Sequence, residues 1–294
     1  MKLTFFVTIL IVFACSKYAT SQTISTNPVI QDSLSLLSSK IWKQKTDSAK
    51  LTANDIFFKK FRKVLESGIF NPNLFDSIQG VTKIATEDSK LCLFTWNVPL
   101  ADGTSKYFGF IKPGQPGLPL ILLQSTAIDQ DNFETRKYSP ESWYGAVYYK
   151  LIEVKIGKSS AYTLLGWDGY SATSNRKMID ILYFDNQGNA VFGMPVFKTA
   201  NGIQSRIILE YAEQSNMLLR YDYQSIMVEK RNKLKKVNLW LIVMDRLIPM
   251  DPSLKGTKKH YVPAGDIYDG YIFQDGYWVM VEDVNAANKE IITK

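Results

Sequence analysis

The chain has 294 residues, 46% hydrophobic and 13% aromatic, with a formal charge of +7, two cysteines and one histidine. That apolar share is enough for a full core and excludes a protein disordered over most of its length. A positive excess this mild does not imply nucleic acid, and two cysteines exclude a disulfide-stapled scaffold.

Lys2, the apolar run Leu3–Ala14, and Ala19-Thr20-Ser21 before Gln22 read as a secretory signal peptide over residues 1–21. The run is shorter than the roughly 20 residues of a membrane-spanning helix, so no transmembrane span is expected in the mature chain. Val12-Phe13-Ala14-Cys15 is a loose lipobox, which keeps open a lipoprotein anchored at Cys15. Either way the mature protein is expected outside the cytoplasm, in the periplasm or the extracellular space. Removing residues 1–21 takes Lys2 and Lys17 and no acid, which leaves +5 and Cys92 as the only cysteine. Residues 22–294 then form one domain that stands on packing alone.

Two helices are expected first, within about 28–67. Pro28 suits a first helical turn, and Ile30, Leu34, Leu37 and Ile41 form one apolar stripe. The second helix is expected to start near Thr52 or Asn54, both good caps, and to end at Gly68. Phe57, Phe61 and Val64 make its stripe, while Lys59, Lys60, Arg62 and Lys63 form a solvated face.

From Val81 the period changes to 2. Strands are predicted at 81–87, 90–98, 105–112, 118–125, 144–156, 160–167, 177–184, 189–197, 204–212, 216–223, 226–231, 238–248, 267–274 and 277–283. Short gaps leave no room for long crossovers, so antiparallel hairpins and meanders are expected. The fold class is therefore mainly β, a sandwich or open barrel with two N-terminal helices. A propeller-like array is the runner-up, because a turn–strand–acid or amide pattern ends at Asn97, Asp168, Asp222 and Asp283. Its offsets of 71, 54 and 61 residues are irregular and longer than the ~40–50 of a propeller blade. Thr126–Ser142 is the one long irregular connection, placed to divide two sheets or overhang a groove.

The chain offers little recognisable chemistry. His260 stands alone, so no zinc site is expected, and no cofactor or metal is implied. Asp266, Asp269 and Asp275 lack the order of a calcium loop and read as turn formers. No serine-nucleophile elbow or phosphate loop occurs, and Cys92 between Leu91 and Leu93 reads as a buried inert thiol. Paired carboxylates stay open, because such pairs come from distant segments. Asp168 in Gly166-Trp167-Asp168-Gly169 is the first acid to consider, with Trp167 able to stack on a sugar. Arg176, Lys177 and Asp180 follow within reach of the same hairpin. The candidate binding residues are thus Trp167, Asp168 and Arg176; the alternative is a turn dipeptide beside a core tryptophan. Lys230–Lys236 holds five positive charges in seven residues. It suits a hairpin tip guarding a sheet edge, or a grip on anionic lipid or polysaccharide.

Phe94-Thr95-Trp96-Asn97-Val98-Pro99, Tyr107-Phe108-Gly109-Phe110-Ile111 and Tyr162-Thr163-Leu164-Leu165-Gly166-Trp167-Asp168-Gly169 belong to a longer string of motifs. Arg176-Lys177-Met178-Ile179-Asp180, Phe192-Gly193-Met194-Pro195 and Asp269-Gly270-Tyr271 continue it. Over roughly residues 29–283 the string resembles an uncharacterised family of exported proteins from Bacteroidota-type bacteria. The resemblance implies export and a single-domain extent; no activity comes with it, and no catalytic residue is carried over. The expected role is a non-catalytic binding or scaffolding protein of the envelope or periplasm. Its partner is unknown, a glycan or another envelope component. A carboxylate-dependent glycan hydrolase and an electrostatic binder of anionic surfaces are the alternatives.

Overall fold

A computed structural model describes residues 26–67, 75–76, 78–115, 117–125, 132–230 and 233–284. The expected signal peptide, Cys15 and Gly68 lie outside the described residues. Helix α1 spans Thr26–Lys43 and α2 spans Asp47–Glu66. α2 begins earlier than expected because Thr46 caps it, its hydroxyl accepting from the Ala49 N–H at 3.3 Å. Thr52 therefore sits inside the helix, where its hydroxyl donates to the Ser48 carbonyl at 2.9 Å. Ser67 caps the other end.

The strands follow in chain order: β1 Thr82–Ala85, β2 Leu91–Pro99, β3 Ser105–Pro113 and β4 Ile121–Gln124. Next come β5 Val147–Ile156, β6 Ser159–Asp168, β7 Ser174–Phe184, β8 Ala190–Phe192, β9 Phe197–Thr199, β10 Gly202–Gln204 and β11 Ile207–Ala212. The chain continues with β12 Leu219–Lys230, β13 Lys233–Pro249, β14 Tyr261–Gln274 and β15 Tyr277–Val284. Three open sheets result. The first is the meander β1-β2-β3-β4, the central one runs β11-β7-β6-β5 with β8 beside β7, and the third runs β10-β9-β15-β14-β13-β12. The protein is mainly β and sandwich-like, and among the described residues no sheet closes into a barrel.

Strand alternation stacks these sheets behind the helices. Leu34, Phe57 and Phe61 of the helices pack on Phe94, Trp96 and Phe110, which lie on one face of the first sheet. The indole N–H of Trp96 donates to Asn54 Oδ1 at 2.8 Å inside that layer. The other face of the first sheet, with Leu93, Tyr107 and Ile111, packs on Tyr148, Leu164, Met178 and Leu182 of the central sheet. Leu165, Ile179 and Ile181, on the far side of those central strands, pack on Leu219, Ile242, Tyr271 and Trp278 of the third. A sheet buried on both faces explains the nearly unbroken apolar run of β6.

Several segments differ from expectation, among them the predicted strand at 204–212, which divides into β10 and β11 in different sheets. The predicted strands at 216–223 and 226–231 are one strand, β12, because the partner β13 stays in register from Leu219↔Met244 to Lys230↔Lys233. The predicted strand at 189–197 divides into β8 and β9 around Gly193, whose φ of +90° turns the chain. β9 also pairs in parallel with β15, Phe197 opposite Trp278, although only antiparallel pairs were expected. The whole of β10–β14 serves as the crossover, far more than a parallel pair needs. Of the connection 126–142, residues 132–142 link the first and central sheets: Tyr138 exchanges backbone hydrogen bonds with Phe192 at 2.9 and 2.8 Å. The β14–β15 turn is Asp275-Gly276, both at positive φ (51° and 81°), as a tight two-residue hairpin loop requires.

Candidate functional site

The register of β6 and β7 sets Asp168 opposite Arg176, so the two candidates do share one hairpin. Both look toward the first sheet. Asp168, 5% exposed, accepts from the Tyr107 hydroxyl at 2.7 Å and from the Tyr144 hydroxyl at 3.1 Å. Each hydroxyl is itself an acceptor, from the Gly169 N–H at 2.8 Å and from Arg176 Nη1 at 3.0 Å. Burial raises the Asp168 pKa above the usual carboxylate value, against the pull of the Tyr107 hydrogen bond and the Arg176 charge. Burial likewise raises the Tyr107 and Tyr144 phenols, and the Asp168 charge adds to it.

Arg176 is clamped on every side. Its Nε and Nη2 donate to Glu210 at 3.2 and 3.0 Å, and its guanidinium lies 3.2 Å from the Tyr170 ring centroid. Glu210 is held in turn by the Ser174 hydroxyl at 2.8 Å. Asp168, Tyr107, Tyr144, Arg176 and Glu210 therefore form a closed network in which each group satisfies the next. Trp167 turns to the opposite face, its ring folded against Gly169, where an added Cβ would meet the indole at 2.8 Å. A sugar stacked on Trp167 would have the whole strand between it and Asp168. Asp180 sits deeper in the same sheet, completely buried with Arg206 at 3.3 Å.

Arg176 and Glu210 also border a cleft of about 290 Å³ at the end of the central and third sheets, with Asp245, Arg246, Lys258 and Asp269. Its acids are engaged as well. Arg246 Nε donates to Asp269 at 2.9 Å, and the Leu218 N–H donates to Asp245 at 2.7 Å. Burial raises the Asp245 pKa.

A second surface lies on the long β12–β13 hairpin. Alternation puts Tyr221 and Tyr223 on the face that carries Leu219 into the core, and Trp240 stands directly across from Tyr223. The covering sheet ends before the hairpin does. Trp240 is 54% exposed and Tyr223 is 43% exposed. The Tyr221 and Trp240 rings stack with centroids 5.2 Å apart and planes at 23°, and Tyr223 leans on Trp240 at 5.7 Å. One step further out, Ser225 is hydrogen-bonded to Asn238 across the strands, and Lys235 and Lys236 are exposed beyond them. Tyr221 also borders a cleft of about 480 Å³ along edge strand β5, with Thr86, Glu87, Asp88, Lys150 and Glu153.

This aromatic surface was missed in the sequence reading, although its signal was present. Once the strands on either side pair as a hairpin, Tyr223 and Trp240 fall opposite each other. Of the basic run, Arg231 and Asn232 lie outside the described residues.

The remaining candidates are structural. Cys92 is buried, and burial pushes its thiol up to about 12, far from nucleophilic use. Asp275 serves the β14–β15 turn, and Asp269 pairs with Arg246, so the aspartates of this segment have separate tasks. Among the described residues no three His, Cys, Asp or Glu side chains gather as a metal site requires, and no helix is long and apolar enough to cross a membrane. Compared with known proteins, the chain matches no family model and no curated protein.

Proposed function

We propose that this is an exported, non-catalytic binding protein of the cell envelope, which meets its partner through the ring surface of the β12–β13 hairpin. The observation that carries this reading is the bare aromatic surface of Trp240 and Tyr223, where the third sheet outruns its cover. Leaving apolar area in water forgoes about 25 cal/mol per Å², and contiguous exposed patches mark interaction sites. Aromatic residues are also the side chains that most often anchor interfaces. Export is supported by the signal-peptide pattern of residues 1–21 and by the resemblance to an exported family.

Binding is favoured over hydrolysis by the enclosure of Asp168. A general acid has to reach its substrate, whereas both oxygens of this carboxyl are held by tyrosine hydroxyls in a buried network. The test is cosedimentation of the full chain with isolated cell-envelope material. Retention is expected for the wild type and expected to drop for Trp240→Ala; equal retention of the two proteins sinks the reading. Amino-terminal sequencing of the exported product checks the address: a start at Gln22 marks soluble export, and palmitate labelling at Cys15 marks the anchored form.

A further inference from the structure

Resting on that reading of the hairpin as a binding surface, we propose that its partner is a lipid bilayer surface carrying anionic head groups, met by the lysines and the ring cluster of β12 and β13 together. Four lysines stand on the outer part of the hairpin, Lys230 opposite Lys233 with Lys235 and Lys236 next to them, against one acid, Glu229. Four positive charges less one leave +3 on a ribbon two strands wide. Lys235 and Lys236 are exposed. The neighbouring acids do not cancel this excess. In the cleft along β5, Asp88 is paired with Lys90 at 2.6 Å and Glu153 with Lys155 at 3.4 Å, and Glu87 shares the cleft with Lys150. That cleft is balanced in charge, so the hairpin lysines set the sign of the field around the rings.

The rings add apolar area beside that charge. Tyr221 and Trp240 stack on each other and Tyr223 leans on the same indole, so the three form one wedge rather than a row of separate faces. A wedge suits an interface that takes up ring area as a body. Tryptophan and tyrosine are enriched where hydrocarbon meets head groups, because each joins an apolar ring to a polar N–H or O–H. Trp240 and Tyr223 are both exposed. Lys236 alternates onto the same face of β13 as Trp240, roughly 14 Å along the strand. Between them Ser225 and Asn238 are hydrogen-bonded to each other, so covering this stretch strands fewer polar groups.

Other occupants fit less well. A second copy would bring the same lysines against these, like charge against like. A partner strand added along β12 meets a closed border near the body. There the Tyr149 hydroxyl donates to the Leu219 carbonyl at 3.0 Å, and the Tyr223 N–H donates to Asp222 at 2.8 Å. A soluble polyanion satisfies the lysines but offers no apolar phase to the indole. A bilayer surface supplies both, since basic clusters are held by anionic head groups while rings enter the boundary beneath them.

Vesicle sedimentation tests the proposal. The full chain is spun with vesicles of phosphatidylcholine alone and of phosphatidylcholine mixed with phosphatidylglycerol. Residues 1–21 are common to every sample, so the readout is the difference between vesicles and between variants. Stronger sedimentation with the anionic vesicles is expected. It should weaken by about twentyfold or more when Lys235 and Lys236 are both changed to Ala, at about fivefold per charge. A loss of about tenfold is expected in Trp240→Ala, and Trp240→Tyr should keep most of the binding. Raising the salt from ~0.05 to ~0.5 M should remove most of the anionic preference. Thermal melting confirms that each variant is folded. Equal sedimentation with the two vesicles, or an anionic preference untouched by the lysine pair, overturns the proposal. Retention by envelope material that depends on Trp240, with no capture by either vesicle, overturns the lipid and leaves the hairpin as a binding surface. If Trp240→Ala changes nothing with vesicles or envelope material, both readings fall.

Discussion

Burial raises the pKa of Asp168, so the folded protein keeps a proton that the unfolded chain has already released. Below the ordinary carboxylate value of 3.8 both forms are protonated and the group costs nothing. As pH rises the unfolded chain ionises first, and the Asp168 contribution to stability falls until the folded pKa is passed. Asp245 acts in the same direction. Asp168→Asn removes the titration and keeps a neutral group of similar shape between the two hydroxyls. We expect the variant to stay within ~1 kcal/mol of the wild type below about pH 4 and to gain on it toward pH ~7. Urea denaturation at the two pH values reads it; a constant gap contradicts the raised pKa. Arg206, by contrast, pairs with the fully buried carboxyl group of Asp180 at 3.3 Å. Arg206→Met leaves Asp180 without its cation, with the Ile181 N–H and the Tyr148 hydroxyl donating to it, at an expected loss of about 3–5 kcal/mol, and Asp180→Asn in the same chain should return part of it. The consecutive pair Trp167-Asp168 also shows what a sequence can disclose at this scale. In a strand, neighbours must face opposite sides, so their separation was legible from position alone. That Asp168 meets Tyr107 and Tyr144, far away in the chain, was not.

Helix stripes are the most legible elements here. The 3.6-residue spacing of Phe57, Phe61 and Val64 survives packing unchanged, and the structure buries those residues. Asn54, read as a possible cap, instead pins α2 to the first sheet through Trp96. We expect Asn54→Ala to cost about 1–3 kcal/mol in urea denaturation, because it leaves a buried indole N–H without an acceptor. A change near zero would show that the helix layer does not depend on this bond. Strand limits were less legible. The polar stretch Gln224-Ser225 looks like a break, yet pairing with β13 carries the strand across it. For the hairpin rings the missing information is tertiary, since exposure of Trp240 depends on where another sheet stops. Trp240→Ala is therefore expected to change stability by no more than ~0.5 kcal/mol, measured by thermal melting, while weakening ligand retention.

At the scale of the molecule, the mainly β class, the hairpin wiring and the leading helix pair follow from period and gap length. The order of the layers does not. Which sheet lies between two others depends on matching faces, and β6 signals only that it is buried on both sides. Trp278 shows how such layers lock: its indole N–H donates to Thr163 at 2.9 Å, joining the third sheet to the central one. The parallel seat of β9 beside β15 has a kinetic corollary. Among the described residues the short ribbon β9–β10 joins its sheet solely through a strand made some eighty residues later, opposite Trp278. Until the ribosome has released that stretch, Phe197 has no roof, and loop closure over so long a separation is slow. A prematurely terminated product ending before Tyr277 is thus expected to be cut by protease around residues 194–204. Synthesis errors near the carboxyl end would in this way expose themselves at the middle of the chain.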